Sequence, residues 1–554
     1  MHRTFALAGL FMAASISANL SSADEALMTA NVASRLGLVE AWQRTIPTPV
    51  GAASLADQKI FVHSESPHVY IEIVAGAAPA ATATVPAATD DAEPSPGAEA
   101  KPVAGKPKSA DTAKVLMRIA VGTPNARGVS IDQKEAERLA SNEIRRMKRR
   151  GIQATMRTTE VQRVVLYSLA DDGTLEARDA ETGRPIWIAQ VGTQGLHFGE
   201  IGVSEKYVTV VNGANLIQID ASNGTIIYQD RTGNAPQFGV INAGDFAMIA
   251  TVGGGIEGYP LSDPTIDPFL EIVAGQAMAP PTTSPTSSRT AWSTDRGFVY
   301  VMELIGKPST LFRLNTNGLV SGRIAAASGD RFFFGSDTGQ AYALRATRSG
   351  DVMWVVPFGE PFYDQPLVIG EQVMMLSTYG RLFSMNIDNG DLSWDKPVTN
   401  VDQMLGGFGN QLFVRTMGGS LSVIDVKTGK TTGTFANVRP GHLLPNTQTD
   451  RLYLVGESGV VQCLRPIDSE LPRFIVAPDR KPTEELAAET ETKDPAEKSP
   501  FDPGSTDPFG TTADPFGAGG GADPFGAGGG ADPFGGSGAD PFGGGSAMDD
   551  PFGN

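Results

Sequence analysis

The histidines are the first residues to test for chemistry, because an imidazole can bind a metal ion or carry a proton near neutral pH. The chain has five of them. His63 and His68 flank a predicted turn and could share a metal ion, although two ordinary turn histidines explain the same spacing more simply. No histidine belongs to an H-E-x-x-H motif or lies beside a nucleophile elbow. The sequence therefore predicts no catalytic residue and no metal site.

Two other features could bind a cofactor or react. Residues 253–258 match the glycine spacing of a dinucleotide-binding loop, which needs a helix directly behind it to hold the phosphates. Tyr259 and Pro260 follow instead, so this segment is predicted to be a turn. The single cysteine, Cys463, lies in an apolar run and cannot form an internal disulfide, which predicts a buried thiol. No cofactor is therefore predicted.

The net charge and the N-terminal sequence limit the kinds of partner that we expect for this chain. The net charge of −18 over 554 residues argues against binding nucleic acid through its phosphates. Residues 1–23 are predicted to be a signal peptide, with an apolar core from Phe5 to Ile16 and small residues before the cleavage point. We therefore expect export to the periplasm or cell envelope, without a transmembrane segment or a lipid-anchored cysteine in the mature chain.

A repeat of about forty residues sets the fold. Each copy holds an apolar run, a tight turn and a second alternating run, which together predict a β-hairpin whose glycine adopts a positive φ. The marked turn positions are Gly173, Ala214, Gly255, Gly297, Gly339, Gly380, Gly419 and Gly459. This period predicts an all-β, eight-bladed β-propeller of four-stranded antiparallel blades over residues 24–477.

Four segments interrupt or follow this repeat. Residues 75–113 are rich in Ala, Pro and Thr, which predicts a disordered insertion. A helix is predicted over residues 131–150, started by a Ser130–Gln133 capping box. It would lie as a solvated helix across the acidic ring, or use its terminal cations to bind an anionic partner. A hairpin at 60–73 either closes the ring with the C-terminal blade or sits on the rim.

The C-terminus changes composition twice. Residues 478–506 form a predicted charged, Pro-rich linker, and residues 507–554 a predicted disordered tail with six copies of Asp-Pro-Phe-Gly. Six aromatic anchors on one tether could bind a partner with several pockets, while a mere spacer explains the same composition. The anchors are Phe509, Phe516, Phe525, Phe534, Phe542 and Phe552.

The segment Ala177 to Trp187, "ARDAETGRPIW", resembles the tryptophan-docking motif of the pyrroloquinoline-quinone-like (PQQ-like) propeller repeats. Partial copies follow in phase, so the resemblance covers roughly residues 36–477. It implies that aromatic residues pack between adjacent blades. The residues it assigns to this structural docking are Ala177, Thr182, Gly183, Trp187, Gly224, Tyr228, Gly350, Trp354, Gly390, Trp394 and Gly429.

The resemblance implies two classes of function. Some family members are quinoprotein dehydrogenases with a calcium-held quinone and an adjacent-cysteine disulfide, and others are non-enzymatic scaffolds of outer-membrane assembly. With one cysteine this chain lacks that disulfide. We therefore predict a monomeric, non-enzymatic scaffold that binds proteins in the cell envelope. The alternative is a quinone- or metal-dependent oxidoreductase that uses the channel of the ring.

Overall fold

The computed structural model describes residues 27–47, 51–75, 114–122, 130–442 and 444–475. The predicted signal peptide, most of the 75–113 insertion, the linker at 478–506 and the Asp-Pro-Phe-Gly tail lie outside these ranges. Two α-helices are described, α1 (Ala30–Arg35) and α2 (Gln133–Arg149), together with a short 3₁₀ helix, Gly51–Ser54. No described helix combines the length and the apolar character needed to cross a membrane.

The described strands form eight antiparallel sheets, which follow one another along the chain and are here called blades 1 to 8. Blade 1 contains β2 (Leu55–Ala75), β3 (Val115–Ala120), β4 (Ala154–Ala170), β5 (Thr174–Asp179) and β6 (Pro185–Gln190), and blade 2 contains β7 (Gly202–Val203), β8 (Tyr207–Asn212), β9 (Asn215–Asp220) and β10 (Ile226–Arg231). Blade 3 contains β11 (Pro236–Ala243), β12 (Phe246–Thr251), β13 (Gly255–Pro260) and β14 (Phe269–Ile272), and blade 4 contains β15 (Thr282–Thr283), β16 (Arg289–Ser293), β17 (Phe298–Glu303) and β18 (Ser309–Asn315). Blade 5 contains β19 (Ala325–Ala327), β20 (Arg331–Gly335), β21 (Gln340–Arg345) and β22 (Asp351–Pro357), and blade 6 contains β23 (Leu367–Ile369), β24 (Gln372–Leu376) and β25 (Leu382–Asn386). Blade 7 contains β26 (Val401–Phe408), β27 (Gln411–Thr416), β28 (Leu421–Asp425) and β29 (Thr431–Phe435), and blade 8 contains β30 (Leu452–Val455), β31 (Val460–Pro466) and β1 (Leu38–Thr45).

The predicted all-β fold of antiparallel blades is confirmed; the predicted four strands are present in five of the eight blades, and three blades depart from that number. Blade 1 has five strands because β3 adds to its edge, whereas blades 6 and 8 have three. In blade 6 the segment expected to be the fourth strand makes only two isolated bridges with β25, Leu392 to Met385 and Val398 to Leu382. Two marked turn positions were also off by one residue, since Gly213 (φ 62°) and Gly254 (φ 83°) hold the positive φ, not Ala214 and Gly255.

Apolar contact joins the blades into a ring. Within the described residues, eight clusters of buried side chains each draw on two successive blades. One of them joins blade 8 to blade 1, with Trp42, Tyr453 and Cys463 packed against Val164 and Leu166. Burial of these side chains between sheets is the main force that holds the blades together.

Strand β1 completes the last blade from the other end of the chain. It pairs antiparallel with β31, with Leu38 opposite Pro466 and Thr45 opposite Val460. Blade 8 therefore combines residues from both ends of the described chain. We call the interface between two neighbouring blades a seam. The ring cannot open at the seam between blades 8 and 1 unless the pairing of β1 with β31 breaks.

The prediction of a hairpin at 60–73 is wrong. These residues belong to the single strand β2, whose register against β4 shifts between His63 and His68. The Ser-Glu-Ser-Pro segment that suggested a turn is this irregularity. Before it, β2 is the innermost strand of blade 1; after it, β2 continues beyond the ring and pairs with β3 and the first half of β4.

The continuation of β2 forms an appendage, which we define as residues 68–75, 114–122 and 130–161. Helix α2 packs on this three-stranded sheet through Ala136 and Ala140, which contact Ile71 and Ile73. The expectation that the helix lies across the ring is therefore wrong. Its start also differs from the prediction, because the carboxylate of Asp132, not Ser130, accepts the backbone N–H of Glu135 at 2.7 Å.

Candidate functional sites

Each docking tryptophan reaches from the outer edge of one blade to the next blade; Trp187 and Trp354 lie on the outer strand, and Trp394 lies in the segment that follows β25. The indole of Trp187 lies flat on Gly224 of blade 2, where a Cβ atom would come within 2.6 Å of the ring. Its Nε1 donates to the carbonyl of Ala221 at 2.8 Å. Trp354 contacts Gly390 and Trp394 contacts Gly429 in the same way. Glycine is required at these corners because φ is positive and the ring leaves no space for a side chain.

The remaining predicted docking residues occupy different environments. Ala177 is buried opposite Trp187 on the neighbouring strand, and Thr182 donates its hydroxyl to Asp179 at 2.7 Å. Tyr228 is half-buried and donates its hydroxyl to Asp230 on its own strand. It does not copy the contact that Trp187 makes.

The sequence analysis did not predict two of the aromatic residues that dock on a corner glycine, Trp42 and Phe312. Gly183 receives Trp42, which comes from β1 and whose Nε1 donates to Ala180 at 2.8 Å. Gly350 receives the ring of Phe312. Trp42 lies about 140 residues before its target, outside the forty-residue phase, and Phe312 lacks the indole that marks the motif.

The two histidines of β2 are not ordinary turn residues. His63 is buried between blades 1 and 2, with Nε2 2.9 Å from the Tyr167 hydroxyl and Nδ1 3.5 Å from Glu205. His68 Nε2 lies 3.0 Å from Asp179. Within the described ranges no group of three or more His, Cys, Asp or Glu side chains has the arrangement to hold a metal ion.

Glu205 is tied to this region by several donors. The backbone N–H and the hydroxyl of Ser64 donate to its Oε1 at 2.8 and 2.7 Å. Burial alone would raise the pKa of Glu205, but the hydrogen bonds from His63 and Ser64 lower it to about 2. The carboxylate is therefore charged at neutral pH and fixes the β2 irregularity to blade 2.

The innermost strands surround a cavity of about 620 Å³ along the axis of the ring. Lys59 lies at its wall and donates to the carbonyl of Ile201 at 3.0 Å. Burial, together with nearby Arg323, lowers the pKa of Lys59. Burial also raises the pKa of Asp57 to about 6, although the backbone N–H of Ile201 donates to it at 2.7 Å. Arg323, which lines the cavity, pairs with Glu200 at 3.0 Å.

An exposed apolar patch lies on one face of the ring. Because strands alternate in direction, the glycine-marked hairpin turns of the blades share this face, here called the upper face, with the connections between blades. Tyr379 and Met417 occupy such turns in blades 6 and 7, and Tyr363 lies in the connection into blade 6. Their exposures are 64%, 56% and 49%.

These three residues, here called the upper-face patch, lie on adjoining loops. The backbone N–H of Thr378 donates to the carbonyl of Pro361 at 3.0 Å, which joins the two tyrosine-bearing loops. The terminal methyl of Met417 lies against Gly380, where a Cβ atom would come within 2.5 Å. The patch therefore continues from blade 6 onto blade 7.

Charged pairs border the upper-face patch. Arg381 contacts Glu360 at 2.5 Å, and Arg415 contacts Asp402 at 2.6 Å. An aromatic and methionine centre with a polar rim is the composition of a protein-binding surface. The sequence also indicates this surface, although we did not use that indication. Polar residues usually precede the glycine in the marked turns, whereas Tyr379 and Met417 are large and apolar.

The six tail phenylalanines lie outside the described residues, so the structure gives no geometry for them. Cys463, by contrast, is buried as predicted. Burial raises the pKa of its thiol well above the usual value. Beside it, Arg451 is fully buried and pairs with Glu181 of blade 1 and with Asp450, each at 2.7 Å.

Comparison with known proteins supplies one family match. Residues 282–436 match the family described as "Outer membrane protein assembly factor BamB". The matched segment begins with the first strand of blade 4 and ends just after the last strand of blade 7. The comparison with curated proteins gives no match.

Three solved structures are similar to this chain. BamB from Moraxella catarrhalis is 16% identical over 54% of this chain and 91% of its own, with a TM-score of 0.43. The computationally designed Ika8 protein is 13% identical, covering 54% and 92%, with a TM-score of 0.42. Sqt1 from Saccharomyces cerevisiae is 10% identical, covering 54% and 92%, with a TM-score of 0.41. The family match agrees with the prediction from the docking motif for the segment that it covers: residues 282–436 are similar to the PQQ-like propeller repeats of the BamB family.

Proposed function

We propose that this protein is an exported, non-enzymatic scaffold that binds a protein partner in the cell envelope, and that it acts in outer-membrane assembly. The observation that carries the proposal is the upper-face patch. Three large side chains are exposed to water on the ring, and two ion pairs border them. Burying such side chains against a partner would release ordered water and stabilise a complex.

The location in the envelope rests on other support. The N-terminal sequence resembles a signal peptide. The family match over residues 282–436 is to an outer-membrane assembly factor, and the upper-face patch falls within that segment. These observations favour an envelope scaffold over a cytoplasmic one.

Site-specific photo-crosslinking in intact cells tests the binding surface. A photoreactive phenylalanine analogue is placed at Tyr379 or at Met417, and the captured protein is identified. The matched control is the analogue at Thr428, an exposed residue at the opposite end of blade 7. We expect the same envelope protein to be captured from both patch positions and not from Thr428.

Purified components then test the energetics. The double variant Tyr379→Asp/Met417→Asp should weaken binding of the captured partner at least about tenfold, since each hot-spot side chain contributes on the order of 1–2 kcal/mol. Both residues are exposed, so the melting temperature should not change. Equal affinity of the variant and the natural protein would refute the patch as the binding surface.

The non-enzymatic part of the proposal has its own test. Purified protein is mixed with pyrroloquinoline quinone and calcium, and the absorbance and calcium content are measured after gel filtration. We expect no retained quinone. Stoichiometric uptake together with dye reduction in the presence of an alcohol would establish an oxidoreductase instead.

A further inference from the structure

The tip of the appendage carries a cluster of exposed cations that the proposed function does not use. Helix α2 ends there with five basic residues in six positions. Arg145, Lys148, Arg149 and Arg150 are exposed, and none of them pairs with an acid among the described residues. Arg146 alone contacts an acid, Glu143, at 2.6 Å. A concentrated positive charge is unexpected on a chain whose net charge is −18.

Exposed apolar side chains adjoin these cations. Ile152 follows the helix directly, and its backbone N–H donates to the carbonyl of Met147 at 3.0 Å. Met156 and Met117 both lie opposite Ile73 in the sheet, one on each side. Ile152 and Met156 are each 43% exposed, and Met117 is 40% exposed.

The position of this cluster suits a surface larger than a small molecule. β2 runs from the irregularity at His68 to Ala75, which places the tip roughly 23 Å from that irregularity at 3.3 Å per residue. The ring end of β2 leads to the lower face, so the tip projects away from the upper-face patch. A molecule bound at the tip therefore leaves the upper face free.

Two physical explanations for the cations can be compared. Positive charge near the C-terminus of a helix is favoured by the helix dipole, which acts mainly within the last turn. This accounts for Lys148 and Arg149 but not for Arg145, and it gives no reason for Ile152 and Met156 to stay in water. Cations next to exposed apolar side chains are, in contrast, the composition of a segment that binds an anionic bilayer, where the cations contact headgroups and the apolar chains enter the boundary.

We propose that the appendage tip docks on an anionic lipid bilayer. Arg145, Lys148, Arg149 and Arg150 attract the lipid phosphates, and Ile152 and Met156 insert between the headgroups. The occupant is a bilayer and not a soluble acidic partner, because a soluble partner held by charge alone needs no exposed apolar side chains. The ring then stands on its lower side, with the upper face directed away from the membrane.

Vesicle flotation of the full-length mature protein tests this proposal. Phosphatidylcholine vesicles with and without phosphatidylglycerol are compared at low and high salt. We expect binding only to vesicles that contain phosphatidylglycerol, and loss of binding at high salt because screening weakens the attraction. Equal binding to both vesicle types, or binding to neither, would overturn the proposal.

Matched variants locate the surface. The variant with Arg145, Lys148, Arg149 and Arg150 replaced by Gln should bind at least about tenfold more weakly, since each cation near an anionic surface adds on the order of 1 kcal/mol. The control replaces Arg231, Arg296, Lys396 and Arg439 by Gln; it makes the same change in net charge at exposed positions of the ring and should bind normally. A control that weakens binding as much as the tip variant would contradict the assignment.

The variant Ile152→Ser/Met156→Ser separates a bilayer from a soluble polyanion. It should weaken vesicle binding while binding to polyglutamate, measured in parallel, stays unchanged. If the natural protein binds polyglutamate but no vesicles, the tip recognises an acidic protein and the bilayer proposal fails. Circular dichroism melting of every variant confirms that the fold is kept, and crosslinking at Tyr379 remains an independent test of the proposed function.

Discussion

At the scale of single residues, five of the eight seams between blades contain a glycine and an aromatic ring that fit one another. Sequence reasoning found Trp187, Trp354 and Trp394, because they keep the offset of the docking motif. It could not find Trp42, which folding brings from the other end of the chain, and Tyr228, which it also named, is half-buried and donates its hydroxyl to Asp230 on its own strand. Motif spacing thus identifies a docking residue only when the residue and its target lie in consecutive repeats.

The variant Gly224→Ala tests the fit at one seam. A Cβ atom would lie 2.6 Å from the Trp187 ring, and the backbone φ of 76° is unfavourable for alanine. We expect the free energy of unfolding in urea to fall by about 2–4 kcal/mol, the sum of overpacking and backbone strain. The control is Gly370→Ala, with a φ of 59° and no atom within 4 Å of the added Cβ, which should cost only about 1–2 kcal/mol. Equal costs would mean that the indole contributes nothing at this corner.

Glu205 makes a pH-dependent contribution to stability. Its pKa falls from 4.5 to about 2 on folding, so its stabilising effect is complete above pH 4.5 and is lost as the pH falls towards 2. We expect Glu205→Gln to lower the free energy of unfolding by about 2 kcal/mol at pH 7, and the difference from the natural protein to shrink below pH 4.5. Urea titrations at several pH values measure this. Glu371→Gln removes an exposed carboxylate and should change stability by less than about 0.5 kcal/mol at any pH; a pH-independent effect of Glu205→Gln would contradict the assignment.

At the scale of elements, local periodicity predicted the blades well and the appendage poorly. The hairpins of the ring are encoded by a period of two and a turn glycine, both of which are visible within one repeat. The segment from 60 to 73 has the same period on both sides of Ser-Glu-Ser-Pro, so a turn and an irregular strand give the same pattern. What decides between them is the partner strand β4, which lies about ninety residues further along the chain.

The contribution of β1 to ring closure can be tested by deletion. Removing residues 27–46 uncovers the edge of β31 and takes Trp42 and Ile46 out of the seam between blades 8 and 1. We expect no cooperative thermal transition by circular dichroism, because the two flanking blades lose their common core. In the control a short Gly-Ser link replaces residues 80–110. Ala75 and Lys114, which flank this segment, already share a hydrogen bond of 2.9 Å, so the melting temperature should stay within a few degrees of the natural value. A cooperative melt at the natural temperature without β1 would show that the ring does not need it.

At the scale of the whole molecule, the ring has seams of one kind repeated around an axis. Each seam is an apolar cluster shared by two blades, and no blade buries both of its faces alone. Opening one seam therefore exposes surface on two blades and weakens their hold on the next. This arrangement predicts that seams far apart open together. The period of the sequence indicates a closed ring, but it does not show whether the seams open together or one at a time.

The thiol of Cys463 can report on such opening. It lies fully buried in the seam between blades 8 and 1, and burial raises its pKa, so it should not react with a disulfide reagent in the folded protein. We compare the labelling rates of Trp42→Ala, which alters this seam, and Trp394→Ala, which alters the distant seam between blades 6 and 7. If the ring opens as a unit, both variants should speed labelling at least about a hundredfold, because each loses about 3–5 kcal/mol of global stability. Acceleration by Trp42→Ala alone would mean that the last seam opens locally while the rest of the ring stays closed, and cooperative closure would then be wrong.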